Sequence, residues 1–324
     1  MTETMRAAVR TEFGPPEVVG VGEVPKPDLV DDGALVRVKA VSVNPAEWYA
    51  VTGPWFARGS LGWRRPKDTL FGADFSGIVE AVGKDISHVS VGDRVFGGRT
   101  GAFAEYLVVK NAVARIPDEV SLEGAAAVGT AAITALQALR DQGGVQPGQR
   151  VLINGASGGV GTYAVQIAKA LGATVTGVCR THNVEMVRSL GADHVVDYTE
   201  QDFTRNGERY DLFVDIAGSR KWSDMRRVLA TDGTVIVVGG PKGGLLGPLS
   251  HIISVKAGAT LTREKTKFFV AKFNRSDMEY LAELMDTGKM RSVIDKQFQG
   301  LEEIPDALRY LGTGHARAKV VISI

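Results

Sequence analysis

From Met5 to about Pro117, apolar and polar positions alternate in short runs, ALVRVKAVSV, FSGIVEAVG, DRVFGG and AEYLVV, parted by Gly, Pro and Asp. Alternation of period two marks half-buried strands, so the first third is expected to be mostly β. After RIPDEVSLEGAA the rhythm changes. Apolar run, glycine turn and amphipathic stretch now follow one another: VLING then TYAVQIAKALG, TVTGVC then NVEMVRSLG, HVVDY, YDLFVDIAG then WSDMRRVLA, and TVIVVGG. This alternation specifies a parallel sheet covered by helices on both faces. AKFNRSDMEYLAELMDTGK reads as a further helix stopped at Gly288, and EEIPDALRYLGTG as another before the terminal strand AKVVISI. A lone terminal strand needs a sheet to join, so the tail is expected to return to the β-rich region. The class is α/β, a Rossmann-type doubly wound sheet beside a mostly β domain.

The turn inside VLINGASGGVG breaks the strict G-x-G-x-x-G pattern, since Ala156 takes the first position while Gly158 and Gly161 hold the second and third. Phosphate binding needs small residues that admit a pyrophosphate, a free helix N-terminus, and a glycine where helix meets strand. All three are present, although a bare bend would need no more than this. The next strand end, where NAD enzymes place a carboxylate for the adenosine ribose, reads VCRTHNVE and has no acid before Glu185. Arg180 can pair there with a 2′-phosphate, with Thr181 and Asn183 adding hydrogen bonds, which points to NADP(H). The plainer reading makes Arg180 a solvated residue and Thr181 or Asn183 a helix cap.

Composition narrows the partners. A chain of 324 residues is long enough for two cores. A formal charge of +1 gives no bulk field for nucleic acid or anionic lipid, so neither is expected as a partner. Cys179 is the single cysteine and cannot close an intramolecular disulfide. With no apolar leader in MTETMRAAVRTEF, a cytoplasmic setting is expected. AAAVGTAAITAL is too short to span a bilayer.

Several segments together, VNPAEWYAVTG, FGADFSGIVEAVG, VGDRVFG, GAFAEYLVV, LINGASGGVGTYAVQIAKALGATV, SLGADHVVDY and GHARAKVVI, resemble the zinc-independent quinone oxidoreductase branch of the medium-chain dehydrogenase/reductase superfamily. The likeness covers almost the whole chain in the family's order. It implies a GroES-like catalytic domain split between residues 1–124 and 266–324, a Rossmann NADP-binding domain over 125–265, and a ligand cleft between the domains. It also implies a homodimer, joined at the sheet edge near GTVIVVGG and GATLT. The branch includes reductases of quinones, of alkenals and enones, and of enoyl thioesters, so the substrate stays open.

Zinc relatives carry Cys, then His-Glu, in segments that here read SVNPAEW and GADFSG. Asn44 and Asp74 therefore stand where ligands would be, and no bound metal is expected. Without a Lewis acid, alcohol oxidation lacks a group to hold the alkoxide. Reduction of an activated C=C or a quinone needs only orientation and hydrogen bonds to the developing enolate oxygen. The expected activity is NADPH-dependent, zinc-free hydride transfer to quinones or α,β-unsaturated carbonyls. The alternatives are a zinc/NAD alcohol dehydrogenase and an NADPH-binding, redox-sensing protein with little turnover.

The resemblance also implies roles. Asn44 would lie beside the nicotinamide, and Tyr49 would face the substrate as a hydrogen-bond or proton donor, although Asn-Pro also starts turns and a tyrosine among aromatics also simply packs. Asp74 is expected to order a turn or pair with a neighbour. Cofactor contacts are expected from Thr134, from Gly155, Ala156, Ser157, Gly158, Gly159, Val160 and Gly161 of the turn, and from Cys179, Arg180, Thr181 and Asn183. Tyr198, Ile216 and Ala217 of DIAG, Gly239 of VVGG, and Phe269 and Val270 of KFFVAKFNR complete the set with Lys319, whose neighbour Ala318 stands where the family commonly has Gly. Gly53–Gly72, with Trp55, Phe56, Trp63, Arg58, Arg64 and Arg65, is expected to set substrate choice as an apolar rim with a cationic entrance.

Overall fold

The computed structural model describes residues 3–240, 248–260, 265–314 and 316–324. The chain forms two compact units, Met1–Ile133 with Lys272–Ile324, and Thr134–Ala271. In chain order the strands are β1 (Thr4–Val9), β2 (Gly20–Pro25), β3 (Ala34–Val43), β4 (Asp74–Val82), β5 (Arg94–Gly98), β6 (Tyr106–Val109) and β7 (Val113–Arg115) in the first unit. The second unit holds β8 (Arg150–Asn154), β9 (Thr174–Cys179), β10 (His194–Asp197), β11 (Tyr210–Asp215), β12 (Leu229–Val237) and β13 (Lys265–Phe268). β14 (Ile294–Gln299) and β15 (Lys319–Ser323) lie in the tail.

In the first unit β1 and β2 form an antiparallel pair, and a seven-stranded sheet runs in the order β14-β15-β3-β4-β5-β7 with β6 also on β3. The terminal strand thus joins the sheet of the N-terminal third, β15 lying antiparallel to β3 from Val320↔Val43 to Ser323↔Ala40. β3 is apolar almost throughout because both of its faces are covered. One packs into a core with Phe75, Phe103, Val109, Leu308 and Ile322, and the other places Ala40 against Ala126, Ala127 and Val321. The β-rich region also contains a helix, Pro45–Thr52. Asn44 caps it and Pro45 takes the first helical position, where a missing N–H costs nothing. Gly53 ends it in the left-handed region at φ 56°.

The second unit is a six-stranded sheet, β10-β9-β8-β11-β12-β13, with every pairing parallel. Renumbered within the unit, this is the order 3-2-1-4-5-6 of a doubly wound dinucleotide-binding fold, whose ligand crevice opens where strand order reverses. Here the reversal falls between β8 and β11. Val151, Leu152, Ile153, Phe213 and Val214 are fully buried, as central parallel strands covered on both faces require. β12, expected at the sheet edge, is an interior strand paired with both β11 and β13. The outermost strand is β13, whose KTKF pattern carries two lysines and gives little apolar signal. Of GATLT, Leu261 and Thr262 lie outside the described residues.

Candidate functional site

The glycine turn leaves β8 at the reversal point. Gly155, at φ 93°, adopts a conformation that only glycine takes freely. The N–H groups of Gly155 and Ala156 both donate to the Val178 carbonyl, at 3.2 and 3.0 Å, and so tie the turn to β9. A Cβ on Gly161 would lie 2.1 Å from the Gly155 carbonyl oxygen, so this glycine closes helix onto strand. A Cβ on Gly158 would meet nothing nearer than that same oxygen at 3.5 Å. The helix Gly159–Ala170 starts from Gly158, and its first backbone bond runs from Thr162 N–H to the Gly158 carbonyl. The amides of Gly159, Val160 and Gly161 therefore head the helix without an i−4 acceptor. The turn is braced from below. Asn154 Nδ2 donates to Asp215 Oδ1 (2.8 Å) and Ser219 Oγ (3.1 Å), while His251 Nε2 sits 2.7 Å from Asp215 Oδ2.

At the end of β9, Arg180 is exposed, its Nε donates to the Tyr198 hydroxyl at 3.2 Å, and its guanidinium carbon lies 6.0 Å from that ring's centroid. Thr181 Oγ1 pairs with Thr199 Oγ1 at 3.0 Å. Hydrogen bonds from Thr181 and Thr199 hold the nearby Asp197 carboxyl below its usual range. Asn183 Nδ2 donates to Ser157 Oγ at 3.2 Å, linking this strand end to the glycine turn, and Asn183 Oδ1 is buried without a partner. Burial, with the Asp197 charge, pushes the Cys179 thiol up to about 11, so it stays protonated at neutral pH. Ile216 and Ala217 follow β11, their N–H groups bonded to the Asn154 carbonyl. Gly239 is in close approach to Ile216, a Cβ there lying 2.3 Å from the Ile216 carbonyl oxygen. Thr134 lies in the helix Gly129–Leu136, Phe269 is partly buried and Val270 is exposed.

The first unit holds a different construction, a buried polar cluster at the ends of β3, β4 and β15. Asp74, with no exposure, accepts from Ser42 Oγ (2.8 Å), Asn44 Nδ2 (2.9 Å), Thr130 N–H (2.7 Å) and Thr130 Oγ1 (2.6 Å). Lys319 Nζ stands 3.4 Å from Asp74 Oδ2 and donates to Asn44 Oδ1 at 2.6 Å. Both ends of the Asn44 amide are thus engaged within the unit. Gly129 makes room for the carboxylate, since a Cβ there would lie 2.3 Å from Asp74 Oδ1. Glu47 Oε2 accepts the Asn44 N–H at 2.8 Å. Burial first, and then the Asp74 charge, push the Glu47 carboxyl up to about 7. Ala318 precedes Lys319 at φ 60°, an unusual angle for a residue with a Cβ.

Tyr49, on the helix behind Asn44, is partly buried and meets Phe56 edge-on, with centroids 5.5 Å apart. Burial raises its hydroxyl above the usual tyrosine range, so it remains an O–H donor. Phe56 in turn contacts Trp55, while Trp63 is 74% exposed. Sequence reasoning singled out Asn44, Asp74 and Lys319 but not Ser42, Glu47, Thr130, Asn154 or His251. Glu47 carries one trace in the sequence, as the acid two places after Pro45 in VNPAEW. Among the described residues, no group of three or more His, Cys, Asp or Glu side chains is placed to hold a metal. No helix among them is long and apolar enough to cross a membrane.

Residues 30–118 match the alcohol dehydrogenase GroES-like domain family, and residues 190–322 match the zinc-binding dehydrogenase family. The chain is 31% identical to the chloroplastic quinone-oxidoreductase QR1 of Triphysaria versicolor over 93% of its own length and 92% of that protein's. It is 29% identical to the 2-methylene-furan-3-one reductase of Solanum lycopersicum, over 98% of this chain and 79% of that one. The solved quinone oxidoreductase of Coxiella burnetii superposes with a TM-score of 0.83 at 29% identity, covering 99% of this chain and all of that one. The fold is accordingly α/β, a GroES-like N-terminal domain with a Rossmann-type parallel sheet. The chain therefore belongs to the medium-chain dehydrogenase/reductase superfamily, among its quinone oxidoreductases.

Proposed function

We propose that the protein is an NADPH-dependent reductase of quinones or α,β-unsaturated carbonyls that works by direct hydride transfer and without zinc. The observation that carries the cofactor choice is Arg180, a cation with a tyrosine hydroxyl on its Nε, at the strand end where an NAD site would present a carboxylate. The chain fits a dinucleotide on three further counts. A Cβ at Gly158 would meet only the Gly155 carbonyl oxygen, at 3.5 Å, the helix behind it begins with free amides, and Asn183 Oδ1 is buried beside Ser157 without a donor. Bound NADPH supplies the hydride. Gly155 to Gly161 would cradle its pyrophosphate, Arg180 and Tyr198 would take the 2′-phosphate, and Thr181, Asn183 and the Cys179 backbone would line the adenosine end. Thr134, Ile216, Ala217, Gly239, Phe269 and Val270 complete the proposed contacts.

The zinc-free part of the reading rests on donor chemistry. Asp74, in a position of zinc ligation among relatives, has its oxygens engaged by four hydrogen bonds and an ammonium. A divalent ion there would have to displace Lys319, and Asn44 offers no anionic ligand beside it. Asn44 is held rigid by Asp74 and Lys319 and serves as an orienting group. Lys319 acts first as the internal counter-charge of Asp74, leaving only its third donor for a phosphate. Tyr49 keeps its proton and would donate a hydrogen bond to the substrate oxygen as negative charge develops there.

The test is NADPH oxidation measured in parallel with quinones, 2-alkenals, enones and enoyl thioesters, with metal analysis of the same purified protein. Turnover of at least one class by metal-free protein is the expected result. Stoichiometric zinc, or cofactor binding without turnover of any acceptor, would overturn the proposal.

A further inference from the structure

Arg10 is only 4% exposed, yet its Nε and Nη1 are buried with no hydrogen-bond partner. Its guanidinium carbon lies 5.4 Å from the Phe71 ring centroid and 6.0 Å from that of Phe13. Arg58 approaches the same Phe13 ring, its guanidinium carbon 5.3 Å away, and is anchored by an Nε bond to the Gly53 carbonyl at 2.8 Å. Phe13 presses on Gly53, the residue that ends the Tyr49 helix, where a Cβ would lie 2.3 Å from the ring. Arg10 itself is fixed beside the Gly53–Gly72 stretch by its N–H bond to the Thr69 carbonyl. Arg58 and the Tyr49 helix therefore meet at the Gly53 backbone, whose N–H donates to the Tyr49 carbonyl and whose carbonyl accepts from Arg58 Nε.

Burial pushes the Arg10 guanidinium below its usual range, the Asp68 charge opposing, and leaving Nε and Nη1 without an acceptor is costly, so apolar packing would normally replace it. Two aromatic faces offset part of that cost but satisfy none of its N–H groups. The surrounding charge points the same way. Between Gly53 and Gly72 the chain carries Arg58, Arg64, Arg65 and Lys67 against the single acid Asp68. Among the described residues, Arg64, Arg65 and Lys67 are exposed and join no ion pair, although many cations elsewhere on the protein do.

We infer that Arg10 and Arg58, backed by the cations of Gly53–Gly72, form a receptor for an oxyanion, a carboxylate or phosphate, carried by the acceptor substrate. This rests on the reductase reading above. The oxyanion supplies the acceptors that Nε and Nη1 lack, in the forked geometry a guanidinium recognises. Of the two rings beside those nitrogens, Phe71 is held in the core against Phe103, so an entering oxyanion would have to displace the partly exposed Phe13 ring. The substrate is then an enone or quinone with an anionic tail.

The experiment compares NADPH oxidation with one enone built in three forms, its tail ending in a carboxylate, a phosphate or a methyl ester. In the wild type the KM for either anion is expected to be lower than for the ester by about tenfold, the worth of one charge-assisted hydrogen bond. Arg10→Met should bring that ratio to about one while its melting temperature holds or rises, because an unpaired buried charge is removed. A ratio unchanged in Arg10→Met, or equal KM values in the wild type, overturns the inference. Should Arg10→Met fail to fold, the exposed double variant Arg64→Gln/Arg65→Gln takes its place, with a reduced ratio expected and an unchanged one counting against the proposal. Calorimetric binding of inorganic phosphate separates the two readings. If no enone is turned over but the wild type binds phosphate and Arg10→Met does not, the reductase reading fails and the oxyanion site stands; equal binding by both proteins sinks the site alone.

Discussion

Lys319 donates to the Asn44 side-chain oxygen across 2.6 Å, with the two residues 2% and 5% exposed. Asp74 completes the arrangement at 3.4 Å from the same ammonium. Removing one partner of such a buried pair strands the other charge, which typically costs about 3–5 kcal/mol. Lys319→Met should therefore destabilise the protein by that order. Lys84→Met breaks a pair whose side chains are 71% and 68% exposed and should cost less than about 1 kcal/mol. Urea denaturation of both variants checks the contrast, and equal losses would show that the cluster is not held by charge.

The two units differ in how much of them is legible in the sequence. The glycine turn is legible because its requirements are local. Small residues, a strand before and an amphipathic stretch after all lie within one short segment, and Arg180 is conspicuous because an acid is missing. The buried cluster is only partly legible. Ser42, Asn44, Asp74, Thr130 and Lys319 come from four distant parts of the chain and meet through the pairing of β3 with β4 and β15 and the arrival of the helix Gly129–Leu136, which no local pattern encodes. Glu47 sits in a helix that an Asn-Pro pair starts as readily as it starts a turn, so its burial leaves no local trace. The lysines of β13 mask it as a strand, and the true sheet edge therefore lies one strand beyond β12.

The turn's two inner glycines should behave differently on substitution. A methyl group added at Gly158 would meet no atom nearer than the Gly155 oxygen at 3.5 Å, so Gly158→Val should fold while losing dinucleotide binding to its added bulk. At Gly161 an added Cβ is driven to 2.1 Å from the Gly155 oxygen, so Gly161→Ala should cost about 1–3 kcal/mol of stability. Thermal melts with and without NADPH separate the cases. Retained NADPH stabilisation in a folded Gly158→Val would make the turn a mere bend.

Arg180 is the residue whose charge should choose the cofactor. Arg180→Asp replaces a phosphate partner by a ribose partner and adds repulsion toward the 2′-phosphate. A charge-assisted contact of about 1.5–3 kcal/mol implies that NADPH affinity falls by roughly 10- to 100-fold while NADH affinity falls little or improves. Titration of each dinucleotide by fluorescence measures this directly. Parallel losses for both would remove the 2′-phosphate from the role of Arg180.

Glu47 should leave its mark on the pH dependence of stability. Its folded carboxyl is pushed up to about 7 by burial and then by Asp74, from an ordinary 4.5. Between those two values the folded protein holds a proton that the unfolded chain releases, so stability falls as pH rises through the window and levels off above about 7. The Asn44 N–H and Lys319 oppose this shift but are the smaller influences. Glu47→Gln keeps an oxygen for the Asn44 N–H and carries no proton to lose. Relative to that variant, the wild type should lose stability between pH 5 and pH 8. Urea melts at unit pH intervals give the two profiles; if they run parallel, Glu47 is ionised in the folded protein and its buried charge is compensated by Lys319.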